Sequence, residues 1–549
     1  MHYCIKLGGI QGEGVDTVGE LLSAYLHARG FHVYAYRNFT SRIRGGYSSH
    51  EIAFGKEPVR SKQANVDLLI ALDGEALRRD RGLVSEKGLI ITDESATEES
   101  QPRLLSFPIA SKAKTGPGNV YKWTMALGVM GALLNIPEKE WHSVIAAAFE
   151  RKGQAVIDTN LAALSLGYGL AGSSPQVSSP VPDLDGSQVR EHQGSRLIQG
   201  SEAIVESALM AGCDFTAGYP ISPASEVFSL LAREFKPDGP RRAVQTEDEI
   251  SAVFMAVGAS YAGATPLVAT SGPGLSLMTE GIGLAAMTRT PLVVIDAQRT
   301  GPSTGMPTKH EQSDLALALA GGHGDAKPLV MAPSCVEDIF TDLPRAFLLA
   351  EQYRSPVLFL TDFALMSART DIDALHFSGS DLAAARSKRI LPGVPDQMFH
   401  STGNQQGADG LPTDMPGPRK AYMTERMKTL SKVPEGDNFS YTKAGHNLLI
   451  VALGSTRGAV EAAWPEIRHE ASALYLRLLS PLPVEELESI FASHKRILVL
   501  DCNASGQLLS HLKANFSPHD KFCSALRFDG EPFMGEDIIR AVKEAMDNE

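Results

Sequence analysis

The amino-acid sequence predicts an α/β protein made of three domains, each built around a parallel β-sheet. In three separate segments, short apolar runs of strand length alternate with runs of helical periodicity, which is the pattern of parallel α/β sheets. The chain of 549 residues is long enough for three or four domains of about 150 residues each. Its 43% hydrophobic and 21% charged residues are typical of a globular protein.

Two polar stretches separate the three segments. Residues 173–194 are rich in Ser, Pro, Gly and Asp and predict an exposed linker. Residues 373–445 are dense in Pro and Gly, and a structureless loop of that length inside a compact domain is improbable. We therefore interpret 373–445 as an interdomain segment that packs against something else, with a partner chain as one candidate. The predicted domains are 1–172, 195–372 and 446–549.

Each domain contains four candidate strands, and helical patterns lie between and after them. In the first domain the strands are residues 3–9, 31–36, 66–72 and 88–93, with helical patterns at 15–30 and 120–136. In the second they are 214–219, 265–272, 291–297 and 355–362, with a helical pattern at 248–263. In the third they are 447–454, 472–479, 496–502 and 524–528, with helical patterns at 455–469, 483–494 and 536–547.

Charge and cysteine content exclude several classes of protein. A net charge of −13 does not favour nucleic acid, which requires a basic face. The five cysteines include no CxxC pair, so we expect no iron–sulfur or structural zinc site in this chain. No run of about 20 apolar residues exists, so no membrane span is expected. Sparse cysteines and an N-terminus without a signal-peptide pattern indicate the cytoplasm.

A glycine-rich turn follows the first predicted strand. The run from Gly8 to Gly14 has the order GxxGxG, so the dinucleotide fingerprint GxGxxG fails on spacing. Gly9, Gly12 and Gly14 fit a phosphate-bearing ligand at a helix N-terminus and fit a tight structural turn equally well. Arg42 and Arg44 precede two glycines, which suits an anionic ligand or an interface, although a solvated loop is the commoner case.

The second domain carries turn-forming or polar residues at four consecutive strand ends. Because parallel α/β sheets bind ligands at the carboxyl ends of their strands, this coincidence predicts a site at that edge. Glu247 lies at a strand end, whereas Asp248 and Glu249 begin a helix, where favourable interaction with the helix dipole explains them. The four strand ends are residues 218–223, 244–249, 270–274 and 298–312.

At this point the residues resemble a known family. YPISPASE, QTEDEISAVFMAVGAS, ATSGPGLSLMTEGIGLA and QRTGPSTGMPTKHEQSDL resemble the α subunit of 2-oxoacid:ferredoxin oxidoreductases, especially the 2-oxoglutarate type. GGIQGEG and RIRGGYSS resemble the γ subunit of that family, fused ahead of α. The C-terminal segment is similar to its transketolase-C-like domain. The resemblance implies a γ-type domain, a domain that binds the pyrimidine of thiamine diphosphate, and a transketolase-C-like domain.

The resemblance also implies a reaction and its partners. Such enzymes decarboxylate 2-oxoglutarate oxidatively on thiamine diphosphate, form succinyl-CoA and CO₂, and reduce ferredoxin, reversibly. The family divides the cofactor site between two chains, and this sequence lacks the GDG stretch that precedes the Mg²⁺ and diphosphate ligands. We therefore expect Mg²⁺ and a [4Fe–4S] cluster in a β subunit, activity only with that subunit, and a dimer of α–β heterodimers.

Residue roles follow from the matching motifs. Glu247 matches the glutamate that bonds the aminopyrimidine ring, and Arg299 matches the arginine that holds the substrate carboxylate. Ser222 stands where the family has Thr in its YPIT stretch, so the hydroxyl is kept and the methyl is lost. The expected catalytic residues are Glu247, Arg299 and Ser222, and the expected cofactor contacts are Tyr219, Pro220, Ile221, Ser222, Glu247 and Gly272.

Substrate and coenzyme A contacts are less firmly defined by the sequence. The second carboxylate of 2-oxoglutarate needs a cation or hydroxyl donors, and Thr304, Lys309 and His310 either supply them or only shape the loop. The γ-type domain implies coenzyme A contacts at Gly9, Gly12, Gly14 and Arg44. Two alternatives stay open: a subunit acting on pyruvate or on a branched-chain or aryl 2-oxoacid, and a non-catalytic α/β scaffold.

Overall fold

The computed structural model describes most of the chain and divides it into two compact units. One unit contains residues 1–198 and 368–374, and the other contains 199–367 and 375–549. The described residues are 2–40, 45–97, 101, 103–118, 121–172, 180–181, 184, 195–236, 238–325, 327–373, 380–392, 402–407, 409–445 and 447–547.

The elements are numbered here in chain order. The described strands are β1 His2–Ile10, β2 His32–Asn38, β3 Tyr47–Gly55, β4 Val66–Ala71, β5 Val84–Asp93, β6 Leu104–Phe107, β7 Arg196–Gln199, β8 Phe215–Gly218, β9 Arg242–Gln245, β10 Pro266–Thr270, β11 Leu292–Gln298, β12 Leu329–Met331, β13 Pro356–Asp362, β14 Arg369–Ile372, β15 Phe439–Thr442, β16 Leu448–Ala452, β17 Ala471–Leu476, β18 Leu478–Ser480, β19 Arg496–Asp501 and β20 Phe522–Leu526. The described α-helices are α1 Val15–Ala28, α2 Gly74–Asp80, α3 Ile109–Thr115, α4 Lys122–Leu133, α5 Glu140–Phe149, α6 Gln154–Ala171, α7 Gly200–Met210, α8 Ser225–Glu234, α9 Glu249–Tyr261, α10 Gly272–Met287, α11 Leu315–Ala320, α12 Val336–Tyr353, α13 Phe363–Ser367, α14 Ser380–Arg386, α15 Pro416–Leu430, α16 Thr456–Ile467, α17 Val484–Ala492, α18 Gln507–Asn515 and α19 Gly535–Asp547.

The first unit contains a mixed sheet in the order β6-β5-β4-β1-β3-β2-β14-β7. β1, β4, β5 and β6 pair in parallel; the sequence predicts the first three of these strands and not β6. β2 is also found, but it pairs with the antiparallel strands β3 and β14. Residues 369–372, which fall within the predicted second domain, form β14 in this sheet.

The second unit contains two sheets that share a core. The order β18-β12-β13-β11-β10-β8-β9 is parallel except for β18, and the order β15-β17-β16-β19-β20 is parallel except for β15. Val294 and Leu360 of the first sheet lie in the same buried cluster as Leu474 and Val499 of the second. The predicted multi-domain α/β class is therefore confirmed, with two largely parallel sheets in this unit and a mixed sheet in the first unit.

One predicted strand is divided by a buried charge. The sequence predicts a continuous strand over 472–479, but β17 ends at Leu476 and β18 begins at Leu478. Between them the Arg477 guanidinium pairs with the Asp342 carboxylate at 2.6 Å, with both side chains almost fully buried. β18 then leaves its sheet and pairs antiparallel with β12.

The predicted interdomain segment contains regular structure. Within 373–445, α14 and α15 are helical and β15 pairs with β17 at the edge of the C-terminal sheet. Tyr422 of α15 donates a hydrogen bond to the Met287 carbonyl at 3.2 Å, so this segment packs on α10 of its own chain. Among the described residues, no helix is both long and apolar enough to cross a bilayer.

Two glycines allow α4 and α6 to pack in direct backbone contact. A Cβ at Gly167 would overlap the Met125 carbonyl oxygen, and one at Gly128 would overlap that of Leu164. Gly169 lies on the same helix as Gly167, but a Cβ there would meet nothing within 4 Å. The close approach therefore requires glycine at 167 and not at 169.

We predict that G167A and G169A change stability in opposite directions. The methyl in G167A must separate two helices, which costs about 1–3 kcal/mol. In G169A the same methyl meets open space, and the higher helix propensity of alanine should stabilise the fold by up to about 1 kcal/mol. Denaturant unfolding of both variants measures this difference, and equal effects would contradict the packing described.

Candidate active site

Four strand ends of the second unit meet at one edge of its larger sheet. β8, β9, β10 and β11 run in parallel and end at Gly218, Gln245, Thr270 and Gln298. The helices that follow β9 and β10 begin at the same edge. The structure thus brings together the four strand ends that the sequence pattern selects.

Arg299 connects two of the loops at this edge. It is 7% exposed, and its Nη1 donates to the Ser222 carbonyl at 2.7 Å while its Nη2 donates to the Thr304 carbonyl at 3.5 Å. Its Nε is buried and has no hydrogen-bond partner among the described residues. Burial lowers the pKa of Arg299, and the nearby Asp314 and Glu249 oppose that shift. An arginine remains charged after such a shift, so the site holds a fixed cation.

The buried carboxylate at this edge belongs to Glu249 and not to Glu247. Glu247 is exposed, whereas Glu249 is 6% exposed. A Cβ at Gly274 would lie 2.8 Å from Glu249 Oε1, so the carboxyl group packs beside the first turn of α10. Asp248 caps α9 by accepting a hydrogen bond from the Ser251 amide at 2.7 Å, which confirms a structural role for it.

Helical periodicity is the signal that marks Glu249. Buried positions on α9 recur three to four residues apart, and position 249 lies in that series. An acid on the buried face of a helix is unusual enough to indicate function, because buried carboxylates are rare without a partner. The buried residues of this face include Glu249, Ala252, Val253, Ala256 and Val257.

Two further acids are buried near these groups, Asp314 next to Arg299 and Asp296 next to Asp314, and the sequence interpretation missed both. A Cβ at Gly272 would overlap the Asp314 carboxylate, and the Asp314 amide donates to Gln298 Oε1 at 3.0 Å. Burial raises the pKa of Asp314 to about 6. Asp296 lies within β11 and is fully buried, and neither of its carboxyl oxygens has a hydrogen-bond partner among the described residues. Burial beside Asp314 raises the pKa of Asp296 well above its ordinary value.

The YPIS loop presents its first two residues to solvent. Tyr219 is 42% exposed and Pro220 is exposed, while Ile221 and Ser222 are half-buried. The helix that follows begins only at Ser225. This loop therefore offers an accessible surface directly beside the carbonyl that Arg299 binds.

Two of the candidate side chains in the loop after Arg299 make contacts within the protein, as the loop-shaping alternative expects. His310 is 1% exposed, and its Nδ1 accepts a hydrogen bond from the Ala364 amide at 3.3 Å. Burial lowers the pKa of His310, so the ring is neutral and closed to a substrate carboxylate. The Lys309 ammonium pairs with the Glu531 carboxylate. Of the three candidates for the second carboxylate, Thr304 has an exposed side chain without such a competing contact.

The glycine turn in the first unit borders a cavity. Gly12 and Gly14 have φ of 84° and 109°, which L residues rarely adopt, and both line a cavity of about 410 Å³ together with Lys152. Gly9 instead packs against Trp123, whose ring atom Cζ2 would lie 2.5 Å from a Cβ there. Arg44 lies outside the described residues.

Comparison with known proteins identifies two family models in the chain. Residues 206–403 match the model described as pyruvate flavodoxin/ferredoxin oxidoreductase, thiamine diphosphate-binding. Residues 4–170 match the model described as pyruvate ferredoxin/flavodoxin oxidoreductase. The first match contains all four strand ends at the candidate site.

Named relatives extend these matches to nearly the whole chain. The 2-oxoacid:ferredoxin oxidoreductase subunit alpha of Sulfolobus sp is 25% identical over 98% of this chain and 96% of the relative. The 2-oxoglutarate synthase subunit KorA of Archaeoglobus fulgidus is 34% identical over 58% of this chain and 90% of the relative. A solved 2-oxoglutarate:ferredoxin oxidoreductase from Magnetococcus marinus, with 2-oxoglutarate, coenzyme A and succinyl-CoA bound, is 29% identical, covers 99% of both chains and has a TM-score of 0.88.

The fold and the edge site thus define an oxidoreductase chain with a thiamine diphosphate-binding domain. The chain belongs to the 2-oxoacid:ferredoxin oxidoreductase family and resembles its α subunits over almost its full length. The resemblance drawn from the sequence motifs is confirmed.

Gly274 provides a test of the Glu249 position. In G274A the added methyl would overlap Thr270 Oγ1 and lie 2.7 Å from Glu249 Cγ, so the glutamate must move. We predict at least a tenfold loss of turnover, about 1.4 kcal/mol of transition-state stabilisation, in the assembled enzyme. G283A on the same helix is the control, because its methyl would make only an ordinary 3.9 Å contact with His323. Equal turnover in both variants would show that Glu249 can move without consequence.

Proposed function

We propose that this chain is the fused γ–α subunit of a 2-oxoglutarate:ferredoxin oxidoreductase. In this reaction 2-oxoglutarate and coenzyme A give succinyl-CoA and CO₂, and ferredoxin accepts the electrons. The observation that carries the proposal is the joint placement of the Glu249 carboxyl group and the Arg299 guanidinium at one sheet edge. The resemblance to the family implies these two groups in the pyrimidine-binding chain, an acid at the aminopyrimidine ring and a cation at the substrate carboxylate.

The residues at the edge fit thiamine diphosphate. The cofactor, when bound, supplies the electron sink for loss of CO₂. Gly272 and Gly274 begin α10 at this edge, and Tyr219 and Pro220, in the loop after the neighbouring strand β8, are exposed. We propose that Glu249 holds the proton at the pyrimidine ring nitrogen, because its buried position excludes competing water. Glu247, the residue selected by motif matching, remains the second candidate.

Arg299 is proposed to orient the carboxylate that is lost. A guanidinium forms strong charge-assisted hydrogen bonds to carboxylates, and its planar geometry fixes their direction. Its two Nη groups are held by the Ser222 and Thr304 carbonyls, which fixes the guanidinium plane in advance of substrate. Preorganisation of this kind lowers the entropic cost of binding.

The assignment to 2-oxoglutarate rests on similarity and on the loop after Arg299. One relative is named a 2-oxoglutarate synthase subunit, and a solved neighbour has 2-oxoglutarate bound. Thr304 offers an exposed hydroxyl for the second carboxylate, and Lys309 would serve only if it exchanged its contact with Glu531. A subunit for pyruvate or for branched-chain or aryl 2-oxoacids is the second candidate.

A β subunit is proposed to complete the site. The sequence lacks the GDG stretch for diphosphate and Mg²⁺, and the described residues contain no group of three or more metal-ligating side chains. Ile250 and Phe254 on α9 and Leu277 on α10 are large apolar side chains that are 38–48% exposed beside the site. Clustered exposure of this kind is typical of a subunit interface. Mg²⁺ and a [4Fe–4S] cluster would reside in the β subunit, and the assembly would be a dimer of α–β heterodimers.

Coenzyme A is proposed to contact the γ-type domain. Gly12 and Gly14 precede α1, whose N-terminal amides favour an anion, and Lys152 lines the same cavity. The amides and Lys152 suit the phosphates of the coenzyme, and the two carboxylates in the same lining, Glu13 and Asp16, are paired with Lys122 and Arg37. The packing role of Gly9 leaves Gly12 and Gly14 as the stronger candidates.

The proposed function is tested by anaerobic dye reduction with the natively purified complex. We predict reduction with 2-oxoglutarate that depends on coenzyme A and exceeds the reduction with pyruvate. A preference for pyruvate would move the assignment to the second candidate. A complex that contains thiamine diphosphate and an iron–sulfur chromophore but reduces no dye with any oxoacid would leave only the scaffold interpretation.

Matched substitutions distinguish the roles of Glu247 and Glu249. We predict that E249Q lowers kcat by about a hundredfold, the usual contribution of a positioned acid, because an amide cannot hold a transferable proton. E247Q should lower kcat by less than tenfold. Thiamine diphosphate content and subunit composition are measured in both variants to control for assembly. The reverse order of effects would restore the motif-based assignment of Glu247.

A further inference from the structure

Asp296 is an unusual residue within the larger sheet of the second unit. It is 0% exposed on the central strand β11, and in register it lies beside Thr270 of β10 and Leu360 of β13. Neither of its carboxyl oxygens receives a hydrogen bond from the described residues. A charged carboxylate in such a place would be very costly, because burial without donors removes its solvation and replaces it with nothing.

A neighbouring aspartate shows how hydrogen-bond donors can be supplied to a buried carboxyl group. Asp362, at the end of the adjacent strand β13, is 1% exposed. It accepts hydrogen bonds from the Leu365 amide at 2.8 Å, the Gln312 amide group at 2.8 Å and the Ser455 amide at 2.9 Å. Asp296 and Asp362 are therefore equally buried, but only Asp362 is surrounded by donors.

Asp296 lies on the same side of the sheet as the groups near Arg299. Gln298 is two residues further along β11, so its side chain points to the same face, and its Oε1 accepts from the Asp314 amide. Asp314 is the neighbouring charge that acts on Asp296. The charged and titratable groups that in turn act on Asp314 and Arg299 are Arg299 itself, Glu249 and Glu311. Asp314 and Glu249 thus act on the Arg299 cation, and Glu311 acts on Asp314.

We propose that Asp296 is a positioning residue that stays an uncharged carboxylic acid, so that Asp314 carries the negative charge next to Arg299. Two adjacent carboxylates would repel each other and draw the guanidinium down into the sheet. When Asp296 is neutral, only Asp314 of this pair attracts the guanidinium. Arg299 then keeps its hydrogen bonds to the Ser222 and Thr304 carbonyls. The effect on substrate binding rests on the proposed function, whereas the protonation of Asp296 does not.

The protonation is tested by the pH dependence of thermal stability in D296N. If folded Asp296 keeps its proton while the unfolded chain releases it, the wild type loses stability as pH rises, by up to about tenfold in the unfolding equilibrium per pH unit. Asparagine is neutral at every pH and escapes this loss. We expect the melting temperature of D296N to rise relative to wild type continuously from about pH 5 to about pH 8.

Two control variants, D314N and D362N, should differ from D296N in the pH dependence of their melting temperature. Because the pKa of Asp314 is raised only to about 6, the advantage of D314N should stop growing above that pH. D362N should be less stable than wild type at every pH, since an amide nitrogen cannot accept the three hydrogen bonds that Asp362 accepts. A D296N profile that resembles D362N, or a constant difference from wild type, would overturn the neutral-acid assignment.

The positioning role is tested by kcat/KM for the oxoacid in the assembled enzyme. We expect D296A to lower kcat/KM at least tenfold and D296N to restore most of that loss, because asparagine keeps the volume and the neutral charge. D314N should change KM and remove an acidic limb near pH 6 from the kcat/KM profile. Equal losses in D296N and D296A would overturn the positioning role. The melting experiment does not depend on enzyme activity. It therefore tests the protonation of Asp296 even if the proposed oxoacid substrate is wrong.

Discussion

The Arg299 guanidinium is the contact on which the candidate site depends. It follows β11 directly and binds the carbonyls of Ser222 and Thr304, which belong to loops about 80 residues apart in the sequence. Parallel strands bring their carboxyl ends to one edge, but the loops beyond those ends are free to diverge. A planar group with several donors can hold two such loops at fixed positions, and a lysine ammonium would do so with less directional control.

The C-terminal part of the second unit supports the same loop from the other side. The His310 amide donates to the Gly530 carbonyl at 3.0 Å, and the Gln312 amide donates to the Cys502 carbonyl at 2.8 Å. Lys309 adds its ion pair with Glu531. The residues at 309–312 therefore serve as anchors, and this explains why a polar, basic loop need not be a ligand loop. The exposed part of the loop, around Thr304, is the part that remains available.

Sequence patterns predicted the sheets well because strand and helix periodicity depends on local burial. They did not predict that β3 and β14 pair antiparallel with β2, since pairing partners far apart in the sequence leave no local signal. The edge site was predicted from four strand ends. The difference in burial between Glu247 and Glu249 was not predicted, because motif matching aligns residues and does not report which of them is buried.

Asp296 is a second case in which the sequence did not show that an acidic residue is buried, here within a strand. The run that contains it, residues 291–297, is otherwise apolar, as is typical of a parallel strand buried on both faces. A central strand covered on both faces has no solvent side, so the acid must be neutralised or supplied with donors. Among the residues that the structure describes, none donates a hydrogen bond to Asp296, and three donate to Asp362 on the next strand. Whether a buried carboxyl group in this sheet receives hydrogen bonds therefore depends on its position. Backbone amides are free to donate at strand ends and helix starts, whereas in the middle of a strand they are already paired with the neighbouring strands.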